Sequence, residues 1–269
     1  MTSEDTAAVR TVGLTRRFGD LCAVDHVDLG IPPGTIFGLL GSNGAGKSTT
    51  VKMLTTLLSP TEGTAKVAGF DVRRDAREVR RRIGYVPQLL SADSTLTGYE
   101  NLLLSARLHG LSRAARARRI EESLSFMELA GFADTLVRSY SGGMIRRLEI
   151  ARSLLHDPAV LFLDEPTVGL DPVARRAVWD RLVELRARAG LAVLLTTHDM
   201  EEAEVLCQTI AIMHRGRLVA MDAPAALRAA LGPDATLEDV FVRHTGGTVE
   251  SGGTYRDVAR TRRTARRLG

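Results

Sequence analysis

The sequence predicts an α/β fold with a parallel sheet, and three stretches predict it. Ile36–Leu40 is a short apolar run of buried-strand length that leads straight into Gly41–Ser48, which fits G-x-x-x-x-G-K-[ST]. Ala159–Leu163 and Leu191–Thr196 are two more apolar runs of strand length. The helical pattern Val173–Ala189 separates them. Strands alternating with helices lie parallel, with the helices covering the sheet.

Each element follows in chain order. Val9–Leu14 alternates weakly and Ala23–Ile31 alternates again, so both read as strands; Pro32-Pro33-Gly34 then turns the chain into the Ile36–Leu40 strand. In Gly41–Ser48 the glycines let backbone N–H groups turn inward on phosphate oxygens. Lys47 can reach the β- and γ-phosphates, and Ser48 can ligand Mg²⁺. A helix starting near Lys47 adds its positive end. The helical spacing of Thr49–Leu58 stops at Ser59-Pro60-Thr61-Glu62-Gly63. Thr64–Ala68 reads as a strand, Asp75–Arg82 as a charged helix, and Ile83–Val86 as a strand ending at Pro87-Gln88.

Residues 89–156 differ: leucines at helical spacing, many Arg and Ala, and little strand signal predict a helical insertion. After the Leu191–Thr196 strand, Thr209–Met213 and Arg217–Ala220 flank Arg215-Gly216 as a hairpin, and Pro224–Leu231 and Leu237–Arg243 read as helices. Beyond Gly246 glycine, threonine and arginine dominate, and disorder is expected. The chain thus divides into a core of 1–88 and 157–222, an insertion at 89–156, an extension at 223–246 and a basic tail at 247–269.

The formal net charge is +4 over 269 residues. Residues 247–269 carry six arginines against Glu250 and Asp257. Taking these from the 36 basic and 32 acidic residues of the chain leaves 30 of each in 1–246. Basic character therefore belongs to the tail and not to a binding face, which argues against nucleic acid as a partner. No apolar stretch approaches the length of a membrane span. Met1–Ala8 is polar and acidic, without a signal-peptide pattern. Cys22 and Cys207 lie far apart without metal spacing and are expected to be reduced core residues of a cytosolic protein.

Asp164 and Glu165 end the Ala159–Leu163 strand. A carboxylate there, beside a phosphate loop, can hold Mg²⁺ directly or through water, and the next can polarise an attacking water as a general base. Thr196-Thr197-His198-Asp199 ends a neighbouring parallel strand, so His198 can reach a γ-phosphate in the crevice at the carboxyl ends of the strands. Gln88 also follows a strand and can ligand Mg²⁺ or position water. Ser141-Gly142-Gly143 opens the predicted helix Met144–Leu155 and makes a second anion site from backbone N–H groups, without a lysine.

Gly41–Ser48, Gln88, Ser141-Gly142-Gly143, Asp164-Glu165, Asp171 and His198 occur in the order of an ABC ATPase, and over residues 9 to about 220 the chain resembles that family. They resemble its Walker A loop, Q-loop, signature, Walker B, D-loop and switch histidine. Phe18 fits the aromatic that stacks on adenine. The resemblance implies a RecA-like P-loop NTPase core with an antiparallel β subdomain and an inserted helical subdomain. It implies ATP cradled by Gly41, Ser42, Asn43, Gly44, Ala45, Gly46, Lys47, Ser48 and Thr49, with Mg²⁺ on Ser48, Gln88 and Asp164. Glu165 and His198 are the implied catalytic pair, and two ATP-bound copies close head to tail so that Ser141, Gly142 and Gly143 complete the partner's site. One phosphate loop and one lysine-free anion site in a single chain agree with this.

Tyr140-Ser141-Gly142-Gly143-Met144 departs from the usual Leu-Ser-Gly-Gly-Gln at its last position. Together with Thr236–Gly246 it is similar to the daunorubicin-resistance group of drug exporters. The implied function is ATP hydrolysis driving export of a hydrophobic drug through a separate membrane-spanning permease, at the cytoplasmic face of the cell membrane. Lipid or polysaccharide export is the nearest alternative. A non-transport ABC ATPase acting on nucleic acid or ribosomes is disfavoured by the neutral body. A P-loop kinase or GTPase would leave Ser141-Gly142-Gly143 unexplained.

Overall fold

A computed structural model describes residues 7–186 and 190–246. The predicted disorder of 247–269 lies outside those residues. The chain runs β1 (Val9–Phe18), β2 (Leu21–Ile31), β3 (Ile36–Leu40), α1 (Lys47–Leu54), β4 (Glu62–Val67), β5 (Phe70–Asp71), α2 (Ala76–Arg82) and β6 (Ile83–Val86). There follow α3 (Gly98–Leu108), α4 (Arg113–Phe126), α5 (Gly142–Leu154), β7 (Val160–Asp164), α6 (Pro172–Arg186) and β8 (Ala192–Thr197). The last elements are α7 (Met200–Leu206), β9 (Thr209–His214), β10 (Arg217–Asp222), α8 (Pro224–Ala229) and α9 (Leu237–Thr245).

The central sheet has the order β10-β9-β3-β8-β7-β6. Its β9, β3, β8, β7 and β6 are parallel, and β10 closes one edge as an antiparallel hairpin with β9. Every residue of β3, β7 and β8 is buried. That follows from a parallel sheet covered on both faces, and it is why these strands read as continuous apolar runs. Alternate side chains feed two cores. Leu40, Leu163 and Leu195 pack with Leu148 and Trp179, while Phe37, Leu39, Phe162 and Leu194 pack with Val51 and Met53. The second core also takes in Val24 and Leu29 of a smaller antiparallel sheet, β2-β1-β4-β5.

Some boundaries differ from the sequence pattern for local reasons. The helical spacing predicts a helix to Leu58, but α1 ends at Leu54. Thr56 takes φ 64°, its N–H bonds to the Met53 carbonyl and the Leu57 N–H bonds to that of Lys52. This is a Schellman turn with threonine where glycine is usual, so no glycine marks the stop. The insertion resolves into three helices. The first is set by a capping box in which Thr97 Oγ1 accepts from the Glu100 N–H at 3.1 Å and a Glu100 carboxylate oxygen accepts from the Thr97 N–H at 2.8 Å. The unpredicted α7 begins where Asp199 accepts from the N–H groups of Glu201 and Glu202.

Candidate functional site

Gly41–Ser48 leaves the carboxyl end of β3 between β8 and β9, with the carboxyl ends of β8, β7 and β6 alongside. Two of its glycines answer steric needs. A Cβ on Gly41 would fall 2.6 Å from the Met213 carbonyl. On Gly46, which has φ 108° and caps α1, it would fall 2.5 Å from that of Ala23. Neither position admits a side chain without moving backbone, and the space stays open to main-chain N–H groups.

Lys47, buried in that loop, donates to the carbonyls of Gly41 at 2.7 Å and Ser42 at 3.1 Å, and pairs with Glu165 at 3.1 Å. Glu165 draws two further partners: Gln88 Nε2 donates to its second oxygen at 3.1 Å, and His198 Nδ1 lies 3.5 Å from the first. Its backbone has φ 48°, a left-handed conformation costly for a residue with a side chain. Bonds from its N–H to the Thr196 carbonyl and hydroxyl hold it there. The chain thus bends at the end of β7, and four predicted residues, Lys47, Gln88, Glu165 and His198, come together.

Asp164 accepts from Ser48 Oγ at 3.0 Å and from Thr196 Oγ1 at 2.6 Å. Ser48, Asp164 and Gln88 offer oxygen atoms beside the phosphate loop. Among the described residues no group of three or more His, Cys, Asp or Glu is placed to hold a metal. A hydroxyl with one carboxylate, completed by phosphate oxygens and water, suits Mg²⁺, so the residues present fit that ion. Thr196 was not singled out from sequence; its signal is its place in the strand end Thr196-Thr197-His198.

The other predicted residues sit apart. Ser141 caps α5, its Oγ accepting from the Met144 N–H at 3.2 Å. Ser141 and Gly142 are exposed, but Gly143 is buried, and a Cβ on it would fall 2.6 Å from Ala174 Cβ. Close packing of α5 on α6 therefore needs glycine here. Asp171 Oδ1 accepts from the N–H groups of Val173 and Ala174 and starts α6. Phe18 is half exposed at the end of β1, with the Arg16 guanidinium 4.5 Å over its ring.

Three buried ionisable side chains were not anticipated. Arg146 and Glu149 pair at 3.0 Å inside α5 with 3% and 0% of their side chains exposed. Glu202 of α7 accepts from Thr167 Oγ1 at 2.6 Å and Trp179 Nε1 at 3.0 Å; burial pushes its carboxyl above the usual range.

Comparison with known proteins gives one family. Residues 24–168 match a family model described as ABC transporter. The daunorubicin/doxorubicin resistance ATP-binding protein DrrA of Streptomyces peucetius is 46% identical over 232 residues, spanning 86% of this chain and 70% of that protein. The Nod factor export ATP-binding protein I of Cupriavidus metallidurans is 45% identical over 222 residues, 82% and 73% of the two chains. Among solved structures, an ATP-binding subunit of an ABC transporter superposes with a TM-score of 0.78 at 30% identity, covering 88% of this chain and 98% of that one. A dimeric ATP-binding cassette in a post-hydrolysis state, bound to ADP and Pi, gives 0.71 at 28% identity, covering 80% and 98%.

Proposed function

The chain belongs to the ABC transporter family and is an ATP-binding, ATP-hydrolysing subunit; from that premise we propose that it powers outward transport of a hydrophobic drug or antibiotic through a separate permease. The convergence of Lys47, Gln88 and His198 on Glu165 carries the enzymatic half of this reading. Gly41–Thr49 cradles the ATP phosphates, with Lys47 turning from the loop carbonyls to the β- and γ-oxygens, and Phe18 stacks on the base. Ser48 and Asp164, with Gln88, would hold Mg²⁺, which when bound neutralises charge on the phosphate oxygens.

Glu165 orients a water and takes its proton as the water oxygen bonds the γ-phosphorus. The bond from that phosphorus to the β–γ bridging oxygen breaks, and ADP leaves with the electron pair. His198 contacts the γ-phosphate. Ser141, Gly142 and Gly143 of a second copy complete the site, with Asp171 near the junction, so two copies close on two nucleotides. The dimeric relative bound to ADP and Pi supports such a pairing.

Among the described residues no helix is long and apolar enough to cross a membrane. The proposed place is the cytoplasmic face of the membrane, against a permease. Leu89 and Leu90, exposed directly after Gln88, offer that subunit an apolar surface. Relatives named for drug resistance and for export support the outward direction. The near-equal identity to Nod factor export proteins favours a second reading, in which the cargo is not a drug; lipid or polysaccharide export is the nearest such alternative. No nucleic-acid partner is proposed.

The test is Glu165→Gln. It keeps the hydrogen-bonding shape and removes the base, so MgATP turnover should fall by on the order of a hundredfold or more while nucleotide binding stays. Steady turnover in that variant would sink the assignment. Export of a candidate drug by cells co-expressing this chain with a candidate permease separates the two cargo readings.

A further inference from the structure

One face of α5 grips the segment that carries Gln88. Arg146 donates from Nη1 to the Pro87 carbonyl at 2.7 Å and from Nη2 to the Gln88 carbonyl at 2.8 Å. Glu149, paired with Arg146, accepts from both the N–H and the hydroxyl of Ser91. One turn further, Arg152 donates to the Ser91 carbonyl and hydroxyl. Residues 146, 149 and 152 therefore hold the backbone of 87–91 against the helix whose first turn is Ser141–Gly143. The Gln88 side chain, released to the other side, reaches Glu165.

We propose that Arg146 and Glu149 are positioning residues for ATP hydrolysis, tying the Ser141–Gly143 end of α5 to Gln88 and, through it, to Glu165. The role rests on the hydrolytic reading above. It adds that a nucleotide phosphate engaged at the start of α5, which belongs to the second copy's site, is felt by the base in this copy's own site. The chemistry of the link is specific. A planar guanidinium meets the two successive carbonyls with N–H donors in a rigid, pre-set fork, whereas an ammonium on a flexible stem is not held to that geometry. A buried ion pair is in itself weak evidence for stability, since apolar replacement of both partners is often neutral. The carbonyls and the Ser91 N–H it holds are what give this one a function.

The experiment compares the purified full chain with Arg146→Met/Glu149→Met, which removes both charges together, and with Arg146→Lys. Steady-state MgATP hydrolysis and backbone amide exchange over 88–91 are read, each also in a Gln88→Ala background. The double variant should lose kcat by about tenfold or more with KM within about threefold, since a small misplacement of a positioned group costs rate before affinity. Arg146→Lys should fall between it and the wild type, and exchange at 88–91 should quicken in both. In the Gln88→Ala background the double variant should cost less than about twofold more, because groups acting through one another are not additive. Wild-type kcat in the variants, unchanged exchange, or an undiminished further loss in the Gln88→Ala background overturns the positioning role and leaves the ATPase reading standing. A wild-type chain without MgATP turnover overturns that reading, and this role with it. If the double variant does not accumulate, Arg146→Lys carries the same comparison.

Discussion

Lys47 and Glu165 face each other at 3.1 Å with 4% and 5% of their side chains exposed. Neither charge has water to turn to, so each supplies much of the other's solvation. Lys47 also spends its remaining donors on the Gly41 and Ser42 carbonyls. Under the proposed function, ATP phosphates compete with Glu165 for one ammonium group.

Lys47→Met should weaken MgATP binding by on the order of a hundredfold, or about 2.7 kcal/mol. It should also lower the melting temperature, because Glu165 is left buried without its cation. Adding Glu165→Gln should restore most of the stability and none of the affinity. Thermal unfolding and titration calorimetry on the three variants check this; a Lys47→Met chain as stable as the wild type refutes the paired-charge account.

Gly143→Ala should push α5 off α6, because the new methyl falls within 2.6 Å of Ala174 Cβ. Overpacking of this kind costs about 1–3 kcal/mol. Ala174→Gly alone should cost about 1 kcal/mol or less, through helix propensity. The two together should be less destabilising than their sum by more than about 1 kcal/mol. A denaturant-unfolding cycle measures the difference, and strict additivity would show that the two helices do not meet there.

His156 gives a pH dependence. Its ring stacks on His109 at 3.8 Å and its Nε2 lies 2.9 Å from the Ile83 carbonyl. Burial, aided by His109, pulls its pKa down from 6.5 to about 4, against opposing contributions from the Ile83 hydrogen bond and Asp157. The unfolded chain then binds the proton more readily than the folded one. The stability contribution is complete above pH 6.5 and is lost as the pH falls toward 4. The full shift corresponds to about 3 kcal/mol, and partial solvation of the ring leaves about half of it. His156→Gln should flatten the fall in melting temperature between pH 6.5 and 4; parallel curves for the two proteins would rule it out.

Glu202 has the opposite sign. Its carboxyl is held above the usual range by burial, so stability relative to Glu202→Gln should fall as the pH rises through the unfolded value near 4.5. Glutamine keeps an acceptor for Thr167 and Trp179. Glu202→Leu orphans both donors and should cost about 2–4 kcal/mol. Chemical unfolding at two pH values distinguishes the three chains.

The parts legible in sequence were those whose physics is local. The ends of β3 and β6 agree with the pattern to the residue, since a buried parallel strand is an uninterrupted apolar run. The loop chemistry was legible because Gly41, Gly46, Lys47 and Ser48 stand at fixed offsets. The end of α1 was not, because Thr56 does what glycine usually signals. Arg146, Glu149 and Glu202 were not, because a charged side chain is solvated by default and only tertiary packing buries it. Their spacing within α5 and α7 was visible, but not the Pro87, Gln88 and Thr167 atoms that satisfy them.

The strand order has a consequence for how the protein is made. β3 ends at Leu40, yet its two sheet neighbours are β8 and β9, whose paired residues run to Ile212. A ribosome adding about 5–20 residues per second finishes the phosphate loop roughly ten to thirty seconds before both flanking strands have been synthesised. In that interval the five apolar residues of β3 have no lateral partner, and closure of the central sheet waits for the last third of the chain. Nucleotide capture is thus a late event in the life of each new molecule, and reports that the distant strands have docked.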